Sequence, residues 1–296
     1  MTESHMPGMT AVGGSSFWLL TLLIIAAAGY IVGVQRLRLR GLRWPMIRSS
    51  SAAGGLLCLA AASLPVPGPV MNFPAHVVQH LLLAMFGPLL LAISAPVTLA
   101  LRALPSTSRR RLLGVLHSPV TRTLMLAPLV LILDVGGMYV YYLTPLFAAA
   151  HDQAWLQWLV HLHMFLAGCL LSWYLVGTDP MKHRSGIKPK LMVLLIATAG
   201  HDVLAKLMYG HHIPAAAGTV DQIQLGAQIM YYGGSMVELV LVTIVMATWY
   251  CQGGRALRHQ LRRDQVSAPG RSAATAERRD RSSDGVAPRP GAPDFS

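Results

Sequence analysis

Seven apolar segments, each long enough to cross a lipid bilayer, constrain the fold of this chain more than any other feature. A membrane-spanning helix requires about 20 consecutive, mostly apolar residues. Hydrophobic residues make up 53% of the sequence and charged residues only 12%, proportions that are atypical of a soluble domain. The predicted spans cover about residues 16–35, 51–67, 74–101, 121–146, 154–177, 189–209 and 223–250. The sequence therefore predicts an all-α polytopic membrane protein, a bundle of seven transmembrane helices.

Positive charge is confined to alternate connections between these segments. Of the 24 Lys and Arg residues, 23 lie in four stretches that begin at Arg36, Arg102, Lys182 and Arg255, and the exception is Lys206. These stretches follow the first, third, fifth and seventh predicted spans. Because cytoplasmic loops of membrane proteins are enriched in Lys and Arg, the pattern predicts an N-terminus outside the cell and a C-terminus in the cytoplasm.

The net charge of +12 also raises the alternative of a nucleic-acid-binding protein. The sequence does not favour it, because membrane topology accounts for the basic stretches and no nucleic-acid-binding motif is visible. The predicted partner of these charges is the lipid bilayer. Cys58, Cys169 and Cys251 form no CxxC motif, so we interpret them as buried small residues rather than as a disulfide or a thiolate metal site.

Three regions follow from this pattern. Residues 1–15 are predicted to form a short extracytoplasmic tail, and residues 16–251 the seven-helix membrane domain. Residues 252–296 are rich in Arg, Ser, Pro and Gly without apolar periodicity, which predicts a disordered basic cytoplasmic tail. Within the third span, Pro88 and Pro96 are expected to bend the helix.

Two histidines, His76 and His80, lie one helical turn apart near the predicted outer end of the third span. The i,i+4 spacing places them on one helix face, where they could share a metal ion. This motif alone is weak evidence. Polar residues within a membrane span are costly and usually functional, however, and this strengthens the metal interpretation.

The fifth and sixth spans add further histidines to the same side of the membrane. His161 and His163 are two residues apart and point in nearly opposite directions, so only one can face a shared interior site. We marginally favour His161. On the sixth span, His201 precedes Asp202. An aspartate in lipid needs a partner, and the candidates are Lys206 and a metal-bound histidine that Asp202 would orient.

Acidic and sulfur-containing residues complete the candidate set. Asp134 and Glu238 lie near the middle of the fourth and seventh spans, where each is either functional or a protonated carboxyl group hydrogen-bonded to a neighbouring helix. Asp221 is a candidate helix cap at the outer end of the seventh span. Met138 and Met164 lie in outer or central positions, and thioether with imidazole suits Cu(I) better than Mg²⁺ or Ca²⁺, although Met is also a common packing residue.

Residues 73–105, FPAHVVQHLLLAMFGPLLLAISAPVTLALRALP, resemble the signature of the CtaG family of caa3-type cytochrome c oxidase assembly factors. Segments 141–147, 161–180, 201–208 and 221–239 are similar to the actinobacterial-like branch of that family. The resemblance covers roughly residues 16–250 and implies a seven-span core in a bacterial cell membrane. It implies a non-enzymatic role in maturing a haem–copper oxidase, with copper delivery as the activity. The family's polar positions are matched here by His76, His80, His163, His201, Asp221 and Glu238.

The resulting hypothesis is a Cu(I) site at the outer membrane face that serves cytochrome c oxidase subunits, with an extracytoplasmic copper chaperone as a candidate donor. The predicted ligands are His76, His80, His163 and His201. The predicted supporting or pathway residues are Asp134, His161, Asp202, Asp221, Glu238, Met138 and Met164. Two alternatives stay open. One is a seven-span zinc-dependent membrane hydrolase with Asp202 or Glu238 as general base. The other is a copper permease whose path Asp134 and Glu238 would line.

Overall fold

The computed structural model describes residues 9–64, 72–177 and 186–283. All regular secondary structure in these ranges is helical, which confirms the predicted all-α class. In chain order the α-helices are α1 (Met9–Leu39), α2 (Met46–Ala62), α3 (Phe73–Leu81), α4 (Gly87–Ser94), α5 (Pro96–Ala103), α6 (Ser106–Leu116), α7 (Pro119–Leu124), α8 (Ala127–Leu131), α9 (Gly137–Leu143), α10 (Leu146–Asp152), α11 (Ala154–Val176), α12 (Ile187–His211) and α13 (Val220–Ser283). Two π-helical turns, Leu82–Phe86 and Ile132–Gly136, connect α3 to α4 and α8 to α9, and Ala215–Ala217 form a 3₁₀ turn.

Five helical stretches in the described ranges are each long and apolar enough to cross a membrane. They are Leu20–Leu39, Phe73–Ala103, Ala154–Val176, Ile187–His211 and Val220–Cys251. A sixth candidate is the pair Ala127–Leu143 and Leu146–Asp152, which is bent by 77°. The 17-residue helix Met46–Ala62 is apolar but shorter. Each predicted span overlaps one of these segments, whereas seven membrane crossings and their orientation stay a prediction.

Tyr30 joins the first two helices to the end of α4. Its hydroxyl accepts a hydrogen bond from the indole nitrogen of Trp44 at 3.0 Å. The same hydroxyl lies 3.0 Å from the carbonyl oxygen of Arg48 and 3.2 Å from that of Ser94, and donates its single proton to them. The Arg48 guanidinium lies over the Trp44 ring, 4.8 Å from its centroid, where the ring quadrupole attracts the cation.

The third apolar segment is interrupted at two prolines. Pro88 has no N–H to bond the carbonyl of Ala84. The π-helical turn Leu82–Phe86 lies directly before α4, which begins at Gly87. This wider turn relieves the clash of the proline ring with the preceding helical turn. The second interruption is Ala95, whose backbone is left-handed (φ 51°, ψ 56°) immediately before Pro96. These interruptions agree with the predicted effect of the two prolines on this span.

The fourth apolar segment is also irregular. Helix α8 passes through the π-helical turn Ile132–Gly136 into α9, and the chain then bends sharply into α10. Thr144 is extended (φ −119°, ψ 169°) before Pro145, as expected for a residue that precedes proline. The bend places α10 against α9 and α11, next to the beginning of α3.

Buried apolar side chains form two main clusters. One surrounds Phe73, Tyr142 and Phe147 near the predicted outer end, and the other surrounds Leu89, Leu175 and Val237 further along the same helices. Many apolar side chains point outward instead. Exposed examples are Ile24, Ile132, Leu195, Met236 and Leu239. Such an apolar exterior is appropriate to a protein surrounded by lipid.

Residues up to Val245 form one compact unit, and residues from Met246 on form a second. The sequence predicts disorder from residue 252, whereas the structure has helical backbone as far as Ser283. Arg, Leu, Gln and Ala in this segment are good helix formers, which gives the difference a physical reason. Residues 284–296, and residues 1–8 of the predicted outer tail, lie outside the described residues; residues 9–15 belong to α1.

Candidate intramembrane cavity

A cavity of about 50 Å³ lies among the segments that contain α3, α9, α11, α12 and α13. One water molecule needs about 10–15 Å³ by this measure, so the cavity has room for a few waters or for an ion with its ligands. Its polar and sulfur-containing lining is His80, Met85, Asp134, Met138, His163, Met164, Ser172, Thr198, His201 and Glu238. The cavity therefore gathers donor atoms from five separate segments.

Both π-helical turns contribute to the lining. Met85 belongs to the turn Leu82–Phe86, and Asp134 belongs to the turn Ile132–Gly136. A π turn inserts an extra residue into a helix and rotates the side chains that follow, which is why such turns recur at functional sites. Asp134, for which the sequence left a functional and a structural role open, is thereby placed on the cavity wall.

His201 and Glu238 face each other across the cavity. The distance from Nδ1 of His201 to Oε1 of Glu238 is 3.9 Å, which is too long for a hydrogen bond. Both side chains are buried, and neither ring nitrogen of His201 has a hydrogen-bond partner. Thr198 lies within hydrogen-bonding reach of the Glu238 carboxyl group. An unpaired buried nitrogen costs about 1–3 kcal/mol, so His201 has an unmet capacity to bind a ligand.

His163 is held in one tautomer by a backbone carbonyl. Its Nε2 lies 3.1 Å from the carbonyl oxygen of Leu133, within the second π-helical turn. A carbonyl can only accept a hydrogen bond, so Nε2 carries the proton and Nδ1 keeps its lone pair. The ring also packs directly on Gly137. Of the two histidines on the fifth span, it is His163 that lines the cavity, although the sequence analysis marginally favoured His161.

His76 and His80 have different surroundings in spite of their i,i+4 spacing. His80 lines the cavity, and its Nδ1 is buried without a partner. His76 is also buried but lies outside the cavity lining, in contact with Phe73, Tyr142 and Phe147. In the part of the chain that the structure describes, no three His, Cys, Asp or Glu side chains converge to hold one ion. Three of the four predicted ligands thus line one cavity, and His76 lies apart.

The other predicted residues fall into two groups. Met138 and Met164 line the cavity with Asp134 and Glu238. His161 and Asp202 are half-buried outside the lining, and Asp202 interacts electrostatically with Lys206. The ammonium group of Lys206 lies over the Tyr231 ring at 5.3 Å. Asp202 is therefore placed beside Lys206, the first of the two partners that the sequence analysis considered.

Asp221 is not the cap of the last helix. Thr219 fills that position: its hydroxyl accepts from the backbone N–H of Gln222 at 3.4 Å, and the Gln222 amide oxygen accepts from the N–H of Thr219 at 3.3 Å. This reciprocal pair is a capping box. Asp221 is exposed in the first turn of α13, where a carboxylate is favourable to the helix dipole. The T-x-x-Q spacing was the sequence signal for this cap.

Several residues near the site were not predicted from the sequence. Ser172 and Thr198 line the cavity, and the hydroxyl of Tyr142 lies 3.4 Å from Nε2 of His76. His151 lies beside His76 with a ring-centroid distance of 5.4 Å. A signal for His151 existed in Thr144-Pro145, which predicts a break before α10. That break turns His151 back toward the third span.

These features define a polytopic helical membrane protein whose interior contains a cavity with imidazole, thioether and carboxyl groups. The chain belongs to the cytochrome c oxidase caa3 assembly factor family, Caa3_CtaG, whose family model matches residues 28–252. Its apolar helices make it a multi-pass membrane protein, and this bacterial family fits the plasma membrane.

Mycobacterial proteins are also similar to the chain. An uncharacterized protein of Mycobacterium leprae (strain TN) is 28% identical over 268 residues, which cover 83% of this chain and 40% of that protein. Uncharacterized proteins of Mycobacterium bovis and Mycobacterium tuberculosis are each 28% identical over 246 residues, which cover 76% of this chain and 37% of each protein. The chain therefore spans about two fifths of the length of these curated relatives. No solved structure matches the chain significantly.

Proposed function

We propose that this chain binds Cu(I) in the intramembrane cavity and aids its delivery to cytochrome c oxidase during assembly. The observation that carries the proposal is a set of unpaired buried donors. Nδ1 of His80 and both ring nitrogens of His201 have no hydrogen-bond partner, and both side chains line a cavity that also contains three thioethers. A bound ion would satisfy nitrogens that are otherwise buried at a cost.

The donor types in the cavity favour copper as the cargo. Thioether and imidazole ligands together select Cu(I) among common biological metals. In a low-dielectric interior a cation also needs compensating negative charge. Glu238 lies 3.9 Å from His201, and Asp134 also lines the cavity. His80 and His201 are the proposed nitrogen ligands, Met85, Met138 and Met164 the proposed sulfur ligands, and the two carboxyl groups the proposed counter-charges. Because no three His, Cys, Asp or Glu side chains converge in the described residues, Nδ1 of His163 would join the site only by a side-chain movement.

The proposed clients are subunits of the oxidase, in keeping with the family to which the chain belongs. In the predicted topology the cavity lies toward the extracytoplasmic side. An extracytoplasmic copper chaperone is the proposed donor. The ion would leave by exchange of protein ligands, with no change of its oxidation state.

Metal analysis of the purified protein tests the site. The wild type and the His80→Ala/His201→Ala variant would be loaded with Cu(I) in detergent without oxygen, desalted and analysed for copper per chain. We expect the double variant to retain about one equivalent less than the wild type. The matched control is His117→Ala/His211→Ala, which removes two histidines outside the cavity and should leave copper unchanged. Equal copper in all three folded proteins would overturn the proposal.

Activity in the cell provides a second readout. Cells that carry only the His80→Ala/His201→Ala variant should assemble a caa3 oxidase with reduced copper content, while the control variant supports normal copper content. Normal oxidase copper in the variant would remove the delivery role even if the purified wild type binds the ion.

The same preparations separate the two other classes of function. Catalytic zinc sites hold the ion with three protein ligands. Retention of zinc in preference to copper, together with hydrolysis of lipid amides or esters, would replace our proposal with a hydrolase. Copper uptake by proteoliposomes that contain the wild type, and its loss in an Asp134→Asn/Glu238→Gln variant, would indicate a permease.

A further inference from the structure

A second pair of histidines lies one helical turn from the cavity. His76 precedes His80 by four residues on α3, and its ring is buried. His151 comes from α10, which the 77° bend after α9 brings back toward the third span. The two ring centroids are 5.4 Å apart, with the ring planes at 58°. This pair, here called the outer histidine pair, has no member in the cavity lining.

His151 already has the hydrogen bond that a metal-ligating histidine requires. Its Nδ1 lies 2.7 Å from the carbonyl oxygen of Phe147. The carbonyl can only accept, so Nδ1 carries the proton and Nε2 keeps a lone pair. Metal-bound histidines commonly donate their other ring N–H to a backbone carbonyl in this way, which fixes both tautomer and ring orientation.

An aromatic enclosure orients His76. Its ring stacks on Phe73 at 6.0 Å and meets Phe147 edge-on at 5.4 Å between centroids. The Tyr142 hydroxyl lies 3.4 Å from Nε2, a distance longer than that of a strong hydrogen bond. His76 is therefore held in place mainly by packing, and the weak Tyr142 contact can be exchanged for a ligand.

The separation of the two rings suits a shared ion. Metal–nitrogen bonds are about 2.0–2.1 Å long, so two imidazoles that share one ion have ring centroids about 5–6 Å apart. His161 also interacts electrostatically with both rings, but no three His, Cys, Asp or Glu side chains in the described residues converge on one point, so the outer pair is a site of two histidines. The donors around the outer pair are imidazole nitrogens and the hydroxyl of Tyr142, whereas the cavity also contains sulfur.

We propose that His76 and His151 form a separate, nitrogen-ligated copper site that the ion occupies before it reaches the cavity. His80 lies on the same helix as His76 and lines the cavity, so one helical turn separates the two sites. Transfer between them is an exchange of imidazole ligands without oxidation or reduction. The order of occupation and the choice of copper rest on the proposed function, whereas the capacity of the two imidazoles to share an ion does not.

The test is copper stoichiometry in His151→Phe. Phenylalanine retains an aromatic ring against Phe147 and His76 but removes the ligand nitrogen. His151→Asn serves as a second variant, because its amide N–H can replace the hydrogen bond to the Phe147 carbonyl while Nε2 is lost. The matched control is His211→Phe, which removes an exposed histidine at the end of α12.

After loading with Cu(I), we expect two equivalents per chain in the wild type and in His211→Phe, and one in either His151 variant. X-ray absorption should show sulfur neighbours for the ion that remains in the His151 variants. The ion that remains in His80→Ala/His201→Ala should show nitrogen neighbours without sulfur. These spectra assign each ion to its site independently of oxidase activity.

The remaining outcomes separate this inference from the proposed function. A single ion in the wild type that disappears only in His80→Ala/His201→Ala would overturn the outer site and leave the cavity proposal intact. A single ion that disappears only in the His151 variants would do the reverse. Wild-type protein that retains no copper would overturn both.

Discussion

The side chain of His201 is positioned by shape rather than by hydrogen bonds. Neither of its ring nitrogens has a partner, and the ring fits against Gly234 of α13, where a Cβ atom would overlap Cε1. A ring held by packing alone can present its nitrogens to a ligand without first breaking a hydrogen bond. The absence of a side chain at residue 234 is therefore a condition for the proposed site.

Gly234→Ala should displace the His201 ring and weaken copper binding in the cavity. We expect a loss of about one equivalent of retained Cu(I), with a destabilisation of about 1–3 kcal/mol from overpacking. Copper analysis and thermal unfolding in detergent measure the two effects. Gly210→Ala is the control, because a Cβ there meets nothing within 4 Å and should leave copper binding unchanged. Wild-type copper binding by Gly234→Ala would contradict the role assigned to His201.

The sequence predicted which side chains belong to the candidate site better than it predicted which of them lie together. Helix geometry fixes only that His76 and His80 share a face. Whether each ring lines the cavity or lies outside it depends on side-chain rotamers and on neighbours that are distant in sequence, such as Tyr142 and His151. The carboxyl groups of Asp134 and Glu238 could be placed at similar depth because both residues lie near the middle of a predicted span. Their convergence on His80 and His201 required the folded bundle.

The irregular elements have tertiary consequences. Pro88 leaves the carbonyl of Ala84 without its helical N–H partner, and α11 crosses this carbonyl so closely that a Cβ at Gly168 would overlap it. In the fourth segment, the π-helical turn supplies the Leu133 carbonyl that fixes the tautomer of His163. The two π turns therefore set both the packing of α11 and the orientation of one proposed ligand.

Among the breaks in the helices, Ala95 is the position at which a substitution is most informative. A left-handed backbone costs an L-residue about 1–2 kcal/mol, and Ala95→Gly should remove that cost. This gain is offset by the greater conformational freedom of glycine in the unfolded chain, which lowers stability. We expect a net change within about 1 kcal/mol. Ala95→Val should destabilise the protein by more than about 2 kcal/mol, because a β-branched residue is strained at this φ and the site is fully buried.

Thermal unfolding in detergent measures both Ala95 variants, with Ala103→Val as the control. Ala103 is also buried but lies in a right-handed helix. Ala103→Val therefore measures the cost of overpacking without the cost of a left-handed backbone. Equal destabilisation by the two valine substitutions would contradict a left-handed conformation at residue 95.

Hydropathy predicted where the helices lie but not how they are broken. An apolar stretch of 20 residues has few alternatives in lipid, because each backbone N–H and C=O must be paired within the segment. Hence all seven predicted spans overlap apolar helices. The prolines at 88 and 96 also signalled their interruptions. The turn at Ile132–Gly136 contains no proline and depends on packing against α11, so local sequence carried no sign of it.

At the scale of the whole molecule, the number of membrane crossings depends on two segments. Five stretches of the described residues qualify by length and hydropathy, so the total depends on whether the bent pair and the short helix α2 also cross the membrane. A helix of 17 residues is about 26 Å long at 1.5 Å per residue, slightly less than the hydrocarbon thickness of about 30 Å. Charge provides the independent criterion, because the basic stretches require an even number of crossings between them.

Cysteine labelling tests this topology in a background without native cysteines. Ala216 and Thr107 are both exposed and lie on opposite sides in the predicted arrangement. In intact cells, a membrane-impermeant thiol reagent should label Ala216→Cys but label Thr107→Cys only after the membrane is opened. Labelling of both residues in intact cells, or of Thr107→Cys alone, would contradict the predicted orientation.

The contact between Tyr30 and the carbonyl of Ser94 connects the first helix with a residue made much later. Ser94 is the last residue of α4, and its carbonyl is one of the acceptors that a helix end leaves unpaired. The two residues are 64 positions apart, so at about 5–20 residues per second this acceptor is synthesised roughly 3–13 s after the tyrosine. Until then, the Tyr30 hydroxyl has only its nearer partners, among them the indole of Trp44 and the carbonyl of Arg48. The hydrogen bond that connects the first helix with the end of α4 can therefore form only after the third apolar segment has been synthesised.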